Sequence, residues 1–322
     1  MAVRSILLRF LLRRVARAVI LVFSVSSAAL LLVHLAPGDA FSSFGVSPDV
    51  ARAERARLGL DRPFIEQYSD WLGRAARLDF GESIRFRRPV AALLGERVAN
   101  TLLLGSAALL IAIGLGVPAG VLTGSAPRQW WARSVTAVSL VLLSTPPLVT
   151  ALVLLMIAAR TGWLPTGGLA LAVSSGALET AGAVLRYLPL PALALALPIA
   201  AALERLQSRA MTEALREPSV TAARARGVSR RRSTWVHAFR LSLKPVVAVL
   251  GIVIGTVLSG SFIVEIVMSW PGLGDLMYEA LIASDLYLAA GCAASGAVFL
   301  AAGLLAADIV QAIVDPRTME AA

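Results

Sequence analysis

Few side chains in this sequence have a type and placement that could do chemistry. Lysine occurs once, at Lys244, against 30 basic residues in all. A loop that wraps phosphates is glycine-rich and ends in Lys-Ser or Lys-Thr. Lys244 follows Phe239-Arg240-Leu241-Ser242-Leu243 and precedes Pro245, so it cannot serve such a loop. The histidines are His34 and His237, and the single cysteine is Cys292. A lone cysteine builds neither a disulfide framework nor a cysteine-based metal site. An intramembrane hydrolase would need a nucleophile and a base at one depth. His34 ends an apolar run and His237 sits in a basic stretch, so neither pairs with a serine inside an apolar run. Cys292 reads as a small apolar packing residue. Glu265 is different, because it lies near the end of an apolar run. A carboxylate there is costly, so it faces a cavity or a partner. It is the pore or gate candidate: it lines an outer gate, binds a substrate amine, or pairs with an arginine of an outer loop. No catalytic residue and no metal site are expected.

These residues sit in a chain of 322 residues that is 57% hydrophobic and only 16% charged. Soluble domains carry about 25% charged residues. A bilayer accommodates that much apolar surface where water does not. About 20 apolar residues cross a bilayer as a helix. Six stretches qualify: 18–36, 101–123, 135–159, 188–203, 246–268 and 288–314. The fold expected is all-α, a polytopic membrane protein with six transmembrane helices. Pro118, Pro146 and Pro198 are the positions expected to bend spans. Gly116, Gly120 and Gly124, four apart, allow close helix contact.

Charge orients the chain. Arg4, Arg9, Arg13, Arg14 and Arg17 precede the first span with no acid among them. Basic residues favour the cytoplasmic side, so both termini are expected there. The inside segments then carry 18 basic residues against 5 acids, and the outside segments 12 against 13. The net charge of +10 therefore reads as topology rather than nucleic-acid binding. The N-terminus also imitates a secretory signal, but its apolar run is longer than a signal's core, and an uncleaved span is expected.

Three parts follow from this reading. Residues 1–100 hold an N-terminal cytoplasmic segment, the first span and a long outer loop. That loop is punctuated by Pro and Gly and reads as short helices and turns; it serves as a docking surface for an external partner or as a cap. Residues 101–315 form a five-helix core, and 316–322 a short tail. Within the core, residues 204–245 form a basic cytoplasmic loop. Leu206, Ala210 and Ala214 continue the fourth span as an amphipathic helix, which Pro218 stops. Ser219 is placed to cap a short helix from Val220 to Arg226. Gly227 is placed to end that helix in a left-handed conformation. Ser229 is placed to cap a third helix running toward Lys244, with Pro245 in the first turn of the fifth span. The product is a short helix between two elbows, suited to a lever pushed by another protein. The bland reading is a basic loop that only fixes topology.

At this loop the sequence resembles the peptide/nickel branch of the binding-protein-dependent ABC importer permeases. Thr221-Ala222-Ala223, three residues and Gly227, then Lys244-Pro245, look like that superfamily's cytoplasmic EAA signature. Leu35-Ala36-Pro37-Gly38-Asp39, the stretch 58–63, Asp79-Phe80-Gly81 and Asn100-Thr101-Leu102 resemble family motifs. So do Gly116-Val117-Pro118-Ala119-Gly120, Gly162-Trp163-Leu164-Pro165, the stretch 269–274 and Asp315-Pro316-Arg317. The resemblance covers almost the whole chain. Thr221 stands where the superfamily has Glu, Pro218 and Ser219 where the branch has an acid and an aromatic, and Ala40 where it has Pro.

The resemblance implies a type I ABC importer permease fold in a bacterial inner membrane. It implies a pore subunit, not an enzyme, forming half of a pathway for di- or oligopeptides delivered by an extracytoplasmic binding protein. The partners implied are a second permease, usually a different homologous chain, and two cytoplasmic ATPases that use ATP and Mg. No cofactor is implied for this chain itself. ATPase coupling is carried over to Ser219, Val220, Thr221, Ala222, Ala223, Arg224, Ala225, Arg226 and Gly227. Arg224, Arg226, Arg230, Arg231 and Arg232 either meet an acidic ATPase surface or set topology. The alternative class is a self-contained secondary transporter or channel. That would favour several charges inside spans and repeated halves, and the sequence has one deep candidate charge and no clear repeat. The sequence does not name the cargo.

Overall fold

The computed structural model describes residues 2–35, 48–59, 61–167 and 177–315. The described residues are helical almost throughout; their only β pairing is the isolated bridge between Glu82 and Pro89. In chain order the helices are α1 Ala2–Leu35, α2 Pro48–Leu58, α3 Phe64–Ala75, α4 Val90–Ser125 and α5 Trp130–Leu143. Next come α6 Pro147–Thr161, α7 Ala177–Tyr187, α8 Pro189–Ala214 and α9 Pro218–Ala225. Then α10 Arg230–Arg232 leads through a π-helical turn, Ser233–Ala238, into α11 Phe239–Ala248. The last three are α12 Leu250–Val267, α13 Leu273–Ile282 and α14 Leu286–Val314.

Among the described residues five helices are long and apolar enough to cross a membrane: α1 from Leu12, α4, α8, α12 and α14. The expected third span is not one straight helix. It is broken into α5 and α6, whose axes differ by 109°; counted as one span, the pair brings the total to six. The cause is the pair Pro146-Pro147. Two prolines in a row remove two donors and clash with the preceding turn. Around the break side chains and a shifted N–H meet backbone carbonyls: Ser144 Oγ donates to Leu140 O at 2.9 Å, Thr145 Oγ1 to Val141 O at 2.7 Å, and the Thr145 N–H turns to Leu142 O at 3.1 Å. Pro146 is therefore a break, while Pro118 and Pro198 lie inside α4 and α8, which run through them.

The fifth span also differs from expectation. Pro245 lies inside α11 rather than in the first turn of a span, and the spanning helix α12 begins only after a turn at Val249. Pro245 offers no N–H to the preceding turn. Beyond it the Val249 N–H reaches Val246 O at 3.3 Å, three residues back, and the helix restarts.

The chain divides into two compact units, with boundaries inside α1, α4 and α14. The larger comprises residues 1–13, 103–270 and 303–322. Its centre is α8, which packs against α5, α6, α11 and α12. Ala194, Leu195, Ala196, Ile199, Ala200 and Leu203 are buried there with Ala108, Ala112 and Val117 of α4. In a bilayer, association rests on close packing rather than on expelling water, so small residues collect where helices cross. Gly116, Gly120 and Gly124 supply that crossing. A Cβ on Gly116 would lie 2.5 Å from Ala200 O, and one on Gly120 2.7 Å from Glu204 O. Large apolar residues elsewhere point outward, including Leu110, Val138, Val141 and Ile252. A hydrocarbon surround satisfies them.

The smaller unit comprises residues 14–102 and 271–302. The outer-loop stretch forms short helices, as expected; those described are α2 and α3. Trp71 is buried, the Ser27 and Tyr68 hydroxyls are 2.7 Å apart, and the His34 ring lies 4.6 Å from Phe64. His34 thus sits exposed at the end of α1 with one ring contact. The turn at 36–40 and residues Pro316 and Arg317 lie outside the described residues.

Candidate functional site

The short helix foreseen in the basic loop is present, with one shift. It begins at Pro218, with Glu217 in the N-cap position and no side-chain cap. Ser219 is therefore not the cap. Proline takes the first helical position because its missing N–H is an orphan there and its φ is already helical. That makes Ser219 the second residue of the helix, while the Thr221 hydroxyl donates back to Glu217 O at 3.0 Å.

The other end is as expected. The Gly227 N–H donates to Arg224 O at 2.9 Å and the Val228 N–H to Ala223 O at 3.2 Å. These are the two bonds of a Schellman motif, which closes a helix through a left-handed residue. Gly227 is that residue, with φ of +86°. A Cβ on it would meet nothing within 4 Å, so backbone conformation alone selects glycine here. Two residues on, Ser229 caps α10, accepting from the Arg232 N–H at 3.4 Å.

One face of α9 is seated and the other is open. Val220 and Ala223, three apart, are buried, and Val220 packs with Val121, Met211, Ala214 and Ala238. Ser219, Thr221, Ala222, Arg224, Ala225 and Arg226 are exposed, as are Arg230, Arg231 and Arg232. Side chains tie the segment to the bundle. Arg224 Nε donates to Ser233 Oγ at 3.0 Å, where the chain enters the π turn. Arg230 reaches Ser125 O at 3.4 Å, and Thr212 Oγ1 donates to Gly124 O at 3.1 Å. Lys244 pairs with Asp315 at 3.1 Å, which joins α11 to the end of α14. Two positions 71 residues apart in the sequence therefore meet.

Beneath this element lies a buried polar set that reading the sequence missed. Glu204, 2% exposed, accepts from Thr123 Oγ1 at 2.6 Å. One turn on, Gln207 Nε2 donates to Ser242 Oγ at 2.8 Å. Glu204 Oε2 and Gln207 Oε1 have no hydrogen-bond partner among the described residues. Both lie where α4, α8 and α11 meet, and a buried acceptor there is costly to leave unmet. The spacing of Glu204 and Gln207 was visible, but only the glycine-lined crossing shows that both face inward.

Glu265, the pore or gate candidate, is fully buried within α12. Its backbone carbonyl accepts from the Trp270 N–H at 2.9 Å. In this conformation its side chain is covered by the chain itself rather than presented to an open pathway.

The smaller unit holds a second constellation that the sequence did not reveal. Asp285 is fully buried and precedes α14. Its carboxylate accepts from Ser83 Oγ at 2.6 Å, the Arg85 N–H at 3.1 Å and the Leu288 N–H at 3.2 Å. Burial pushes its pKa above the ordinary carboxylate value, and these donors pull the other way less strongly. Nearby, Asn100 donates to Pro271 O and Thr101 Oγ1 accepts from the Leu273 N–H, both at 2.8 Å. Gly81, at φ of +90°, packs on the Tyr287 ring, which also lies 5.5 Å beneath the Arg74 guanidinium. Motifs nearly two hundred residues apart are thus locked to one another. Among the described residues no cluster of His, Cys, Asp or Glu has the form of a metal site.

Comparison with known proteins agrees with this arrangement. The family described as "Binding-protein-dependent transport system inner membrane component" matches residues 116–320. Its N-terminal companion, "Binding-prot-dependent transport system membrane comp, N-term", matches residues 7–104. The oligopeptide transport system permease protein AppB of Bacillus subtilis (strain 168) is 32% identical over 317 residues, covering 96% of this chain and 98% of its own length. The oligopeptide transport system permease protein OppB of Mycobacterium bovis (strain ATCC BAA-935 / AF2122/97) is 34% identical over 325 residues, covering 96% and 98%. With spanning helices, the closed short helix and both family patterns in register, the chain belongs to the inner-membrane permease components of binding-protein-dependent ABC transport systems.

Proposed function

We propose that this chain forms half of the translocation pore of an ATP-driven importer of di- or oligopeptides. The observation that carries the reading is α9: a helix of eight residues with one face seated in the bundle and the other open. A lever must transmit force without flexing, and the seat of Val220 and Ala223 with the Schellman closure at Gly227 supplies that stiffness. The exposed face, Ser219 to Arg226, docks on one of two separate ATPase subunits, which hydrolyse ATP with Mg. ATPase closure shifts α9, and α8 and α11 carry the shift to the spans. The two pore states must differ in free energy with nucleotide state for this to drive transport. The charge asymmetry supports cytoplasmic termini, which puts α9 in the cytoplasm and α2 and α3 outside. There α2 and α3 face the extracytoplasmic binding protein, and a second, homologous permease completes the pore. Peptide cargo is supported by the two oligopeptide permease relatives.

The test is co-purification in detergent with the ATPases and second permease of the same system, with and without Gly227→Asp. The expected result is a complex that loses its ATPases in the variant while the two permeases stay together. A wild-type chain that recruits no ATPase sinks the importer reading and leaves a self-contained transporter in its place.

A further inference from the structure

The end of the bundle that carries α9 also holds a cavity of about 320 Å³ for which ATPase coupling has no use. Arg133 of α5 and Arg205 of α8 enter its wall from different helices, and Ser208 adds a hydroxyl. Among the described residues neither guanidinium has an ion-pair partner. The adjacent acid, Glu204, does not neutralise Arg205, because its carboxylate is buried in the α4–α8 contact and takes the Thr123 hydroxyl. Two unpaired guanidiniums beside hydroxyls are a recognition set for phosphate oxygens.

The cavity is also graded along α5. Arg133, Thr136, Ala137 and Leu140 follow helical spacing on one face, so the wall passes from charge through hydroxyl to hydrocarbon. Trp130, at the charged end, is highly exposed, and tryptophan favours the headgroup level of a bilayer. Val138 and Val141, toward the apolar end, are exposed to the surround. A soluble anion has no use for such a gradient, whereas an amphiphile does. We propose that this cavity binds the phosphate of an anionic phospholipid between Arg133 and Arg205, with an acyl chain running along α5 past Leu140. Only the assignment to the inner leaflet rests on the orientation given above; the site itself requires no ATPase, binding protein or cargo. The lipid fills the corner between α5 and α8, and its loss loosens the contact through which the broken span follows α8.

The experiment titrates the full-length chain in mild detergent by native mass spectrometry with phosphatidylglycerol and, separately, phosphatidylcholine. The wild-type chain is expected to hold one phosphatidylglycerol at least tenfold more tightly than phosphatidylcholine, and millimolar inorganic phosphate is expected not to displace it. Arg133→Gln with Arg205→Gln should weaken that lipid about tenfold. Arg209→Gln with Arg216→Gln removes the same charge from the same end and should leave it bound. No preference for phosphatidylglycerol in the wild type overturns the proposal, and that readout requires no variant to fold. Equal loss in both double variants overturns it too, since the attraction would then be general. Displacement by inorganic phosphate would mark a soluble-anion site and overturn the lipid assignment.

Discussion

The short helix α9 and the Ser83–Asp285 cluster are each held by hydrogen bonds, but they are finished differently. At α9 the backbone closes itself through Gly227, apolar contacts seat one face, and the other face stays open. At Asp285 a buried carboxylate gathers donors from one distant stretch of chain and from the helix it precedes, and no face is left over. The first is an element with one face left unfilled. The second is a lock, whose donors are all satisfied inside the chain. A carboxylate suits a lock because one group answers several N–H and O–H donors, and removing it strands all of them.

That contrast breaks most readily at Asp285. Asp285→Ala should destabilise the fold by about 3 kcal/mol, since it strands buried donors that met a charged acceptor. Thermal unfolding in detergent reads this, and a loss too small to detect would mean that water replaces the carboxylate and that the site is no lock. Val220→Ala comes next, at about 2 kcal/mol for a fully buried side chain losing two methyl groups. Its melting point should fall less than that of the Asp285 variant, and a larger fall would make the seat of α9 part of the folding core. Gly227→Ala should cost about 1 kcal/mol, because a left-handed alanine is strained even in open space. Its effect should show more in ATPase co-purification than in melting, the reverse of Asp285→Ala.

A pH series sharpens the contrast further. With its folded pKa raised, Asp285 contributes most below the ordinary carboxylate pKa, and that contribution falls as pH rises through the folded value. The stability margin of wild type over Asp285→Asn should therefore be wider at pH 4.5 than at pH 7.5. A margin that widens with pH instead would mean that the donors outweigh burial. The smallest effect belongs to Lys244→Ala. The Lys244–Asp315 pair is half exposed on the lysine side, and such pairs contribute at most about 0.5 kcal/mol. Unchanged melting with unchanged ATPase binding would make that contact incidental to the lever.

Much of this protein was legible in the order of its residues. Apolar length gives the spans, because a bilayer leaves a backbone few options besides a helix. Pro218 and Gly227 bracket α9, since proline and glycine act through local backbone geometry that needs no neighbour. Even the misplacement of the cap is local: Ser219 and Pro218 competed for one end, and proline's preference for the first helical position prevailed. The break at Pro146-Pro147 was foreseen as a bend, but its 109° angle was not. A proline pair permits a break, and the packing of α5 and α6 against α8 sets how far it opens.

What the tertiary structure alone decided are the pairings across long separations. Ser83 and Asp285 are 202 residues apart, and Thr123 and Glu204 are 81 apart. Nothing in either residue's own neighbourhood names its partner, since serines, threonines and acids are ordinary on a surface. Glu265 makes the same point in reverse: its position in an apolar run marked it as costly, but only packing shows that the chain buries it completely. Periodicity and backbone chemistry act over a few residues and so are written in the sequence. Which buried polar group meets which depends on how helices cross, and that is fixed only when the whole bundle is assembled.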